Sequence, residues 1–584
     1  MDNKYYSTER NIQIVLALLK AHGIRKIIAS PGATNFTFVG SVQGDSFFEL
    51  YSAVDERSAA YMAVGMAAES SEPVVLSCTG ATASRDYYPG LTEAFYRKLP
   101  VLAITSHQGS DRIGHLIPQN IDRRQLPNDL VKLSVELPVV KDDRDEAYVQ
   151  MEANKAVLEL FRDGGGPVHI NLFTTYSRDF SVKELPPVRV INRYFAWDSL
   201  PKMPEGKIAV FVGSHRDFST KQVEAVDKFC ATHDAVVICD HTSGYYGRYR
   251  LLPTLALLQT NASSPLGTLD LMVHIGGVCA ASFAGSVKAK QIWRVNEDGE
   301  LRDPYKKLTN VFQMSEEFFF NRYSKEGTSR HDFIDKCQEQ FNSVYENIPE
   351  LPFCNIWAAS RISQNLPKGS LLHISTSNTR RCWNMFTLPD GVTSSCNVGC
   401  CGIDGCTSSL IGASLVNPNR ISYIVTGDLA FFYDQNAIFN RHVGRNVRIL
   451  VINNGSGAEF QLYKHPCYTF GKDAREFMAA AGHNGNMSRN LLKHIAEDLG
   501  FLYLTANNKE EFEKALPAFT NSKLTDKPIL FEIFTDPEDE SNALKLMSTI
   551  SSDAQGIAKR QVINTIKLVA GDKGIKAVKK FLGK

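Results

Sequence analysis

Residues 427–454 read GDLAFFYDQNAIFNRHVGRNVRILVINN, and this stretch constrains the fold more than any other part of the chain. The apolar run 421–425 before it predicts a strand that ends beside Gly427 and Asp428. A helical pattern is expected over about 433–442. A second apolar strand, 447–452, then ends on Asn453 and Asn454. Strand, helix and strand in this order form the right-handed crossover of a parallel sheet, whose ligands lie beyond the carboxyl ends of the strands. The unit therefore brings a carboxylate and a carboxamide, about 25 residues apart, to one sheet edge. Both are hard oxygen ligands suited to Mg²⁺ or Ca²⁺, and they leave coordination positions for the oxygens of a diphosphate. The plain alternative is an ordinary crossover with Asp and Asn in its turns.

At 584 residues the chain is too long for one hydrophobic core and implies about three domains. Its 43% apolar and 22% charged residues are those of a globular protein with a sizeable core. Lys and Arg total 64 against 63 Asp and Glu, so no global basic excess points to nucleic acid. The start, MDNKYYSTERN, has no apolar run behind a basic head, and no stretch has the length of a membrane span. A cytoplasmic location, with no signal peptide and no membrane span, is expected. Twelve cysteines then read as reduced thiols. The cluster Cys396, Cys400, Cys401 and Cys406 lacks paired C-x-x-C knuckles, so zinc is not expected there.

Strand candidates at 26–29, 73–77, 100–105 and 168–172 alternate with amphipathic helices in a first block. IAVFVGS, AVVICD and LMVHIGG mark a second block, followed by a charged helical stretch over 315–345. A third block ends on PILFEIF. The expected domains are 1–181, 207–345 and 350–540. A linker with four prolines fills 182–206, and a basic tail fills 541–584. No repeat is visible by eye, although the first and third blocks read as the same sheet type. Residues 559–584 hold eight Lys or Arg and one Asp, which suits a solvated helix, a frayed end or an anionic partner.

In the first block, Ala53-Val54-Asp55-Glu56-Arg57 opens a helix rich in small residues. Asp55 and Glu56 there either complement the helix dipole or present a carboxyl group at a sheet edge. Cys78-Thr79-Gly80-Ala81-Thr82 lies one strand later. His107 follows the strand VLAIT and is placed at the same kind of edge, with His115 and Gln119 on the loop beyond. Histidine titrates near neutral pH and suits a proton shuttle, but a loop histidine is equally often a hydrogen-bonded surface residue.

Gly-Asp followed by Asn-Asn resembles the signature of thiamine-diphosphate (ThDP) enzymes. Residues 8–540 resemble the three-domain ThDP enzymes that include acetolactate synthase and pyruvate decarboxylase. Within that group DERSAAYMAVGMA, GPVHINL, Gly402-Ile403-Asp404-Gly405 and GDLAFFYDQNA look most like the 2-succinyl-5-enolpyruvyl-6-hydroxy-3-cyclohexene-1-carboxylate synthases of menaquinone biosynthesis. The resemblance implies an α/β fold of three domains with mostly parallel sheets flanked by helices. The N-terminal domain would bind the pyrimidine and the C-terminal domain the diphosphate. It implies Glu56 as the carboxyl group at the pyrimidine N1′, whose proton tunes the cofactor as its own base. Ile403 would wedge between the two cofactor rings, and the Cys401 carbonyl would accept from the 4′-amino group. Thr79, Gly80, Asn378, Thr379, Gly427 and Leu429 would be further cofactor contacts. Asp428, Asn454 and the carbonyl of Ser456 would hold Mg²⁺. Gln119 resembles the loop glutamine of acetolactate synthase and joins Glu56 and His107 as catalytic candidates. A homodimer or homotetramer with sites shared between subunits is also implied.

The synthases bind the dianions 2-oxoglutarate and isochorismate through several arginines. This chain has Ala33-Thr34 where they have Ser-Arg, Val398 where they have Arg, and Trp383 at about the place of another Arg, with Arg380 and Arg381 nearby. A 2-oxo acid donor and an unspecified acceptor are therefore expected, with a small donor such as pyruvate preferred. The leading reading is a carboligase that decarboxylates the donor and transfers its acyl carbon. A simple 2-oxo acid decarboxylase, the synthase activity itself and a catalytically silent regulatory homologue are the alternatives.

Overall fold

The computed structural model describes residues 5–551 apart from 261, 265 and 484–487. The basic run 559–584 lies outside the described residues. The chain divides into two compact units, Met1–Leu200 with Glu297–Gln313, and Pro201–Asn296 with Met314–Lys584.

The first unit is built on β1 (Lys26–Ala29), β2 (Glu49–Ser52), β3 (Val74–Thr79), β4 (Val101–His107), β5 (Leu133–Leu137) and β6 (Val168–Phe173). They form one sheet in the order β2-β1-β3-β4-β6-β5, and every pairing is parallel. The central strands are near-continuous apolar runs because helices cover both faces. One face packs on Ile12, Leu16, Leu19 and Val157, and the other on Ala59, Ala63 and Leu91. Small residues on the Glu56–Ser70 helix allow that second layer to close tightly. A Cβ at Gly90 would lie 2.5 Å from the Ala60 Cβ, so glycine is required for this approach. The edge strand β2 is exposed along its whole length, and its ELYS sequence has neither apolar alternation nor a continuous apolar run. A further strand, β7 (Asn192–Phe195), lies inside the stretch expected to be a linker. Four residues between prolines are too few to show a period.

The second unit contains β8 (Ile208–Val212), β9 (Val236–Ile238), β10 (Arg250–Leu251), β11 (Thr268–Ile275) and β12 (Lys288–Val295), running in the order β10-β9-β8-β11-β12. In the first unit, β13 (Leu308–Gln313) pairs in parallel with β7. The charged stretch expected over 315–345 forms two helices, Glu316–Tyr323 and Asp332–Glu346.

The other sheet of the second unit comprises β14 (Leu371–Ile374), β15 (Thr393–Ser395), β16 (Ser422–Gly427), β17 (Val447–Asn453), β18 (Leu502–Ala506) and β19 (Ile529–Phe534). Its order is β15-β14-β16-β17-β19-β18, again all parallel. Counted from its first strand this is second, first, third, fourth, sixth, fifth, the same winding as in the first unit. The repeat that the residues hide is thus carried by topology, and it places β3 and β16 at equivalent positions. The architecture is three parallel α/β sheets flanked by helices. Among the described residues no helix is long and apolar enough to cross a membrane.

The crossover after β16 departs from expectation. The helix spans Asp428–Tyr433, five residues earlier than the pattern suggested, and a 3₁₀ turn follows at Gln435–Phe439. The Asp434 carboxylate accepts from Ser408 N and Ser408 Oγ, both at 2.6 Å, which fixes the helix end against the Cys406–Val416 helix. The fold also continues past residue 540, where the tail was expected to begin. The Pro537–Met547 helix starts with a proline in its first turn and an Asp536 cap, and it buries Ala543, Leu544 and Met547.

Candidate active site

In the second unit the carboxyl ends of β14, β16 and β17 converge, because Ile374 pairs with Val425 and Gly427 with Ile452. Asp428 follows β16 directly and is 2% exposed. Burial pushes its carboxyl up to about 7, against hydrogen bonds from the backbone N–H groups of Leu429 and Gly455. Asn454 follows β17, and its Oδ1 is buried without a hydrogen-bond partner among the described residues. Ser456 is buried, and its hydroxyl accepts from Gln461 Nε2 at 2.6 Å. Leu429 packs beneath this turn, since a Cβ at Gly457 would lie 3.4 Å from its Cδ2. Asp428, Asn454 and Ser456 thus come together at one edge.

Asn378 and Thr379 open the short helix after β14. The residue before them, Ser377, has φ 61° and ψ −128°, a region that side-chain-bearing residues scarcely populate. Such strain persists only where surrounding structure fixes it, and it turns the chain sharply at the sheet edge. Asn378 Nδ2 donates to the Glu540 carboxylate at 3.5 Å, and Thr379 Oγ1 accepts from Asn355 Nδ2 at 3.4 Å. Beyond β15, Cys401 is exposed with φ 55°, a second left-handed residue, and Ile403 is half-buried close by. All twelve cysteines are free thiols. Among the described residues no group of His, Cys, Asp or Glu has the arrangement of a metal cage.

The two adjacent arginines are used differently. Arg381 makes a bidentate ion pair with Glu459 at 2.6 and 2.7 Å. Arg380 has no carboxylate partner among the described residues. Its Nη1 reaches Cys401 Sγ at 3.8 Å, and its Nε is buried without a partner. Trp383 corrects an expectation. It is fully buried in the core, and its indole N–H donates to Asn355 Oδ1 at 3.3 Å. It therefore does not mark a substrate wall from which a cation has been lost. Val398 is likewise buried.

The first unit holds the remaining candidates. Asp55 caps its helix by accepting from Ser58 N at 3.2 Å. Glu56 is left as a half-buried first-turn carboxylate with no hydrogen bond or ion pair among the described residues, close enough to Cys78 and Tyr87 to act on both electrostatically. Thr79 ends β3 and pairs with Ser106 on β4, beside His107. Gly80 follows, and a Cβ there would lie 2.6 to 2.8 Å from the Arg123 guanidinium. Sequence reasoning missed this arginine. It is 3% exposed and donates to Thr105 Oγ1 at 2.7 Å and Asn171 Oδ1 at 2.5 Å. Its only signal was the ordinary-looking pair Arg123-Arg124 on a loop.

His107 is buried. Desolvation first, and then the Arg123 charge, hold its imidazolium down to about 3. The neutral ring accepts from Gly109 N at Nδ1, 3.3 Å, so the proton is on Nε2, which is buried without a partner among the described residues. A shuttle titrating near neutral pH, as the bare residue suggested, is replaced by a neutral donor. His115 and Gln119 lie on an exposed loop, with Gln119 at φ 65°. The structure therefore brings Glu56, Thr79, Gly80 and His107 to one edge of the first unit. Asn378, Thr379, Cys401, Ile403, Gly427, Asp428, Leu429, Asn454 and Ser456 gather at the equivalent edge of the second unit.

The donor set Asp428, Asn454 and Ser456 suits a hard divalent cation with phosphate oxygens, and the unpartnered Asn454 Oδ1 is an acceptor that such an ion would satisfy. Residues 11–126 match the family model described as thiamine pyrophosphate enzyme, N-terminal TPP binding domain. The chain is also similar to proteins named 2-succinyl-5-enolpyruvyl-6-hydroxy-3-cyclohexene-1-carboxylate synthase. The Phocaeicola vulgatus protein is 30% identical over 571 residues, covering 92% of this chain and 98% of the relative. The Bacteroides fragilis protein is 29% identical over 563 residues, with 92% and 98% covered, and that of Flavobacterium psychrophilum 25% over 550, with 90% and 95%. The chain therefore belongs to the thiamine-diphosphate-dependent enzymes, in the family of the 2-succinyl-5-enolpyruvyl-6-hydroxy-3-cyclohexene-1-carboxylate synthases.

Proposed function

We propose that the chain catalyses the synthase reaction its relatives are named for, the Mg²⁺-dependent loss of CO₂ from 2-oxoglutarate and transfer of the remaining succinyl carbon to isochorismate. Their printed name describes a succinyl group on a hydroxylated cyclohexene carboxylate. A 2-oxo acid that leaves a succinyl unit after losing CO₂ is 2-oxoglutarate. The observation that carries the proposal is the Asp428, Asn454 and Ser456 cluster, with its unpartnered buried acceptor, at the carboxyl edge of a parallel sheet.

When bound, thiamine diphosphate supplies the electron sink for carboxylate loss. Asp428, Asn454 and the Ser456 carbonyl would hold Mg²⁺ against the diphosphate. Glu56 would share a proton with the pyrimidine N1′. His107 would offer Nε2–H to a developing anionic oxygen. Arg380, whose guanidinium lacks an acid partner, would take the far carboxylate of the donor, so the expected preference for pyruvate is not retained.

A shared homodimeric site follows from the same reading. The Glu56–Ser70 helix exposes Tyr61 and Met62, and the Cys406–Val416 helix exposes Leu415 and Val416, apolar faces that a second copy would cover. Glu56 of one protomer would then meet Asp428 of its partner. Purified protein supplied with ThDP and Mg²⁺ and assayed for CO₂ release across a panel of 2-oxo acids tests the reading. Release from 2-oxoglutarate well above that from pyruvate is expected, and the reverse order would refute the donor assignment.

A further inference from the structure

The loop after β1 has Ala33 and Thr34 where the resemblance leads one to expect a serine and an arginine. Ala33 is exposed, and Thr34 is spent internally, its Oγ1 donating to the Ser106 carbonyl at 2.6 Å. That loop forms one side of a cavity of about 750 Å³ within the first unit. Phe36, Tyr51 and Phe180 give the cavity aromatic walls, and Arg178 is the sole cation among its lining residues. Arg178 arrives from the loop after β6, far away in sequence, and its guanidinium makes no ion pair or hydrogen bond among the described residues.

A second feature is buried in the floor. Asn35 is 1% exposed, and its Nδ2 donates to the Ser30 carbonyl at 3.0 Å and to Ser77 Oγ at 3.3 Å. These bonds fix the amide so that Oδ1 faces the Pro31-Gly32 turn, where it has no partner among the described residues. A Cβ at Gly32 would collide with Thr79 Cγ2 at 1.9 Å and lie 2.8 Å from that oxygen, so only glycine fits at the turn that lines the cavity above Asn35. An unpaired cation, an unpartnered acceptor and aromatic walls in a cavity of this size make a small-molecule site of defined chemistry. The walls suit a six-membered ring, the guanidinium a carboxylate, and Asn35 Oδ1 a hydroxyl group.

We propose that this cavity binds a hydroxylated alicyclic or aromatic carboxylate, with Arg178 as its charge partner, and that it thereby supplies the cation missing from Ala33-Thr34. Naming this ligand as the acceptor rests on the function proposed above. The binding itself does not.

The test uses full-length protein and calorimetry with 2-hydroxybenzoate as the probe. Wild type should bind it, Arg178→Gln should weaken binding at least tenfold, and adding Ala33→Arg to that variant should restore most of the loss. The neutral methyl ester should bind wild type and Arg178→Gln alike. In turnover with 2-oxoglutarate, ThDP and Mg²⁺, Arg178→Gln should raise the KM for isochorismate by a similar factor while kcat changes less than threefold. Wild type that fails to bind the probe at millimolar concentration, or an Arg178→Gln effect equally large for the methyl ester, would overturn the proposal. If the probe binds as expected but no acceptor yields product, the cavity stands and the functional reading fails.

Discussion

Glu540 offers a sharp physical test, because it is a carboxylate at 1% exposure that supports Asn378 from below. One oxygen accepts from Asn355 N and Thr535 Oγ1, both at 2.9 Å, and the other from Asn378 Nδ2 at 3.5 Å. These bonds stabilise the anion, but burial outweighs them and raises the carboxyl from 4.5 to about 7. A group whose pKa is higher in the folded chain binds its proton more tightly there, so stability falls as pH rises from about 4.5 to about 7 and is level above. At about 1.4 kcal/mol per pH unit the full loss is roughly 3 kcal/mol. Glu540→Gln removes the titration while keeping an acceptor for Asn355 N. Relative to wild type, the variant should gain about 3 kcal/mol of stability between pH 5 and pH 8. Scanning calorimetry at matched ionic strength would read this as a change in the Tm difference on the order of 4 °C for a cooperative unit of this size. A Tm difference that stays constant from pH 5 to pH 8 would refute the reasoning.

Glu56→Gln should lower turnover by about a hundred- to ten-thousand-fold while leaving diphosphate binding in place, and wild-type exchange of the cofactor C2 proton in that variant would remove Glu56 from its role. Asp428→Ala should weaken Mg²⁺-dependent ThDP binding by about a hundredfold or more, read by calorimetry, and unchanged affinity would show that the metal assignment is wrong. Co-expressed Glu56→Gln and Asp428→Ala chains should recover about a quarter of wild-type activity, because about half the dimers are mixed and each has one intact site of two. Purified mixed dimers without activity would exclude shared sites.

Much of this was legible because the chemistry is tied to strand ends. The runs YIVTGD and RILVINN are apolar for a reason that a sequence displays, since their sheet is covered on both faces, and the polar residues that end them fall at the ligand edge. Glu56 was legible for a different reason, because it opens a helix marked by its run of small residues. The edge strands β2, β15 and β18 were not, because exposure weakens the apolar signal. The early helix start at Asp428 was hidden, since the apolar pattern of 433–442 reads equally well as the buried side of a 3₁₀ turn. Trp383 and Arg380 illustrate a further limit. Three residues apart on a short helix, one fills the core and the other reaches Cys401, and only packing distinguishes them. Arg123, Arg178 and Glu540 could not be found at all by local pattern, because the groups they face are brought together by the fold from distant segments.

The central claim is acyl transfer, and one measurement addresses it directly. Full-length protein with ThDP and Mg²⁺ is given 2-oxoglutarate labelled with ¹³C at C2, together with isochorismate, and CO₂ and labelled products are counted by mass spectrometry. The account predicts one CO₂ released per labelled succinyl-cyclohexene adduct, with neither formed when Asp428 is replaced by alanine. Labelled succinic semialdehyde as the sole product, in amounts that do not depend on isochorismate, would contradict it.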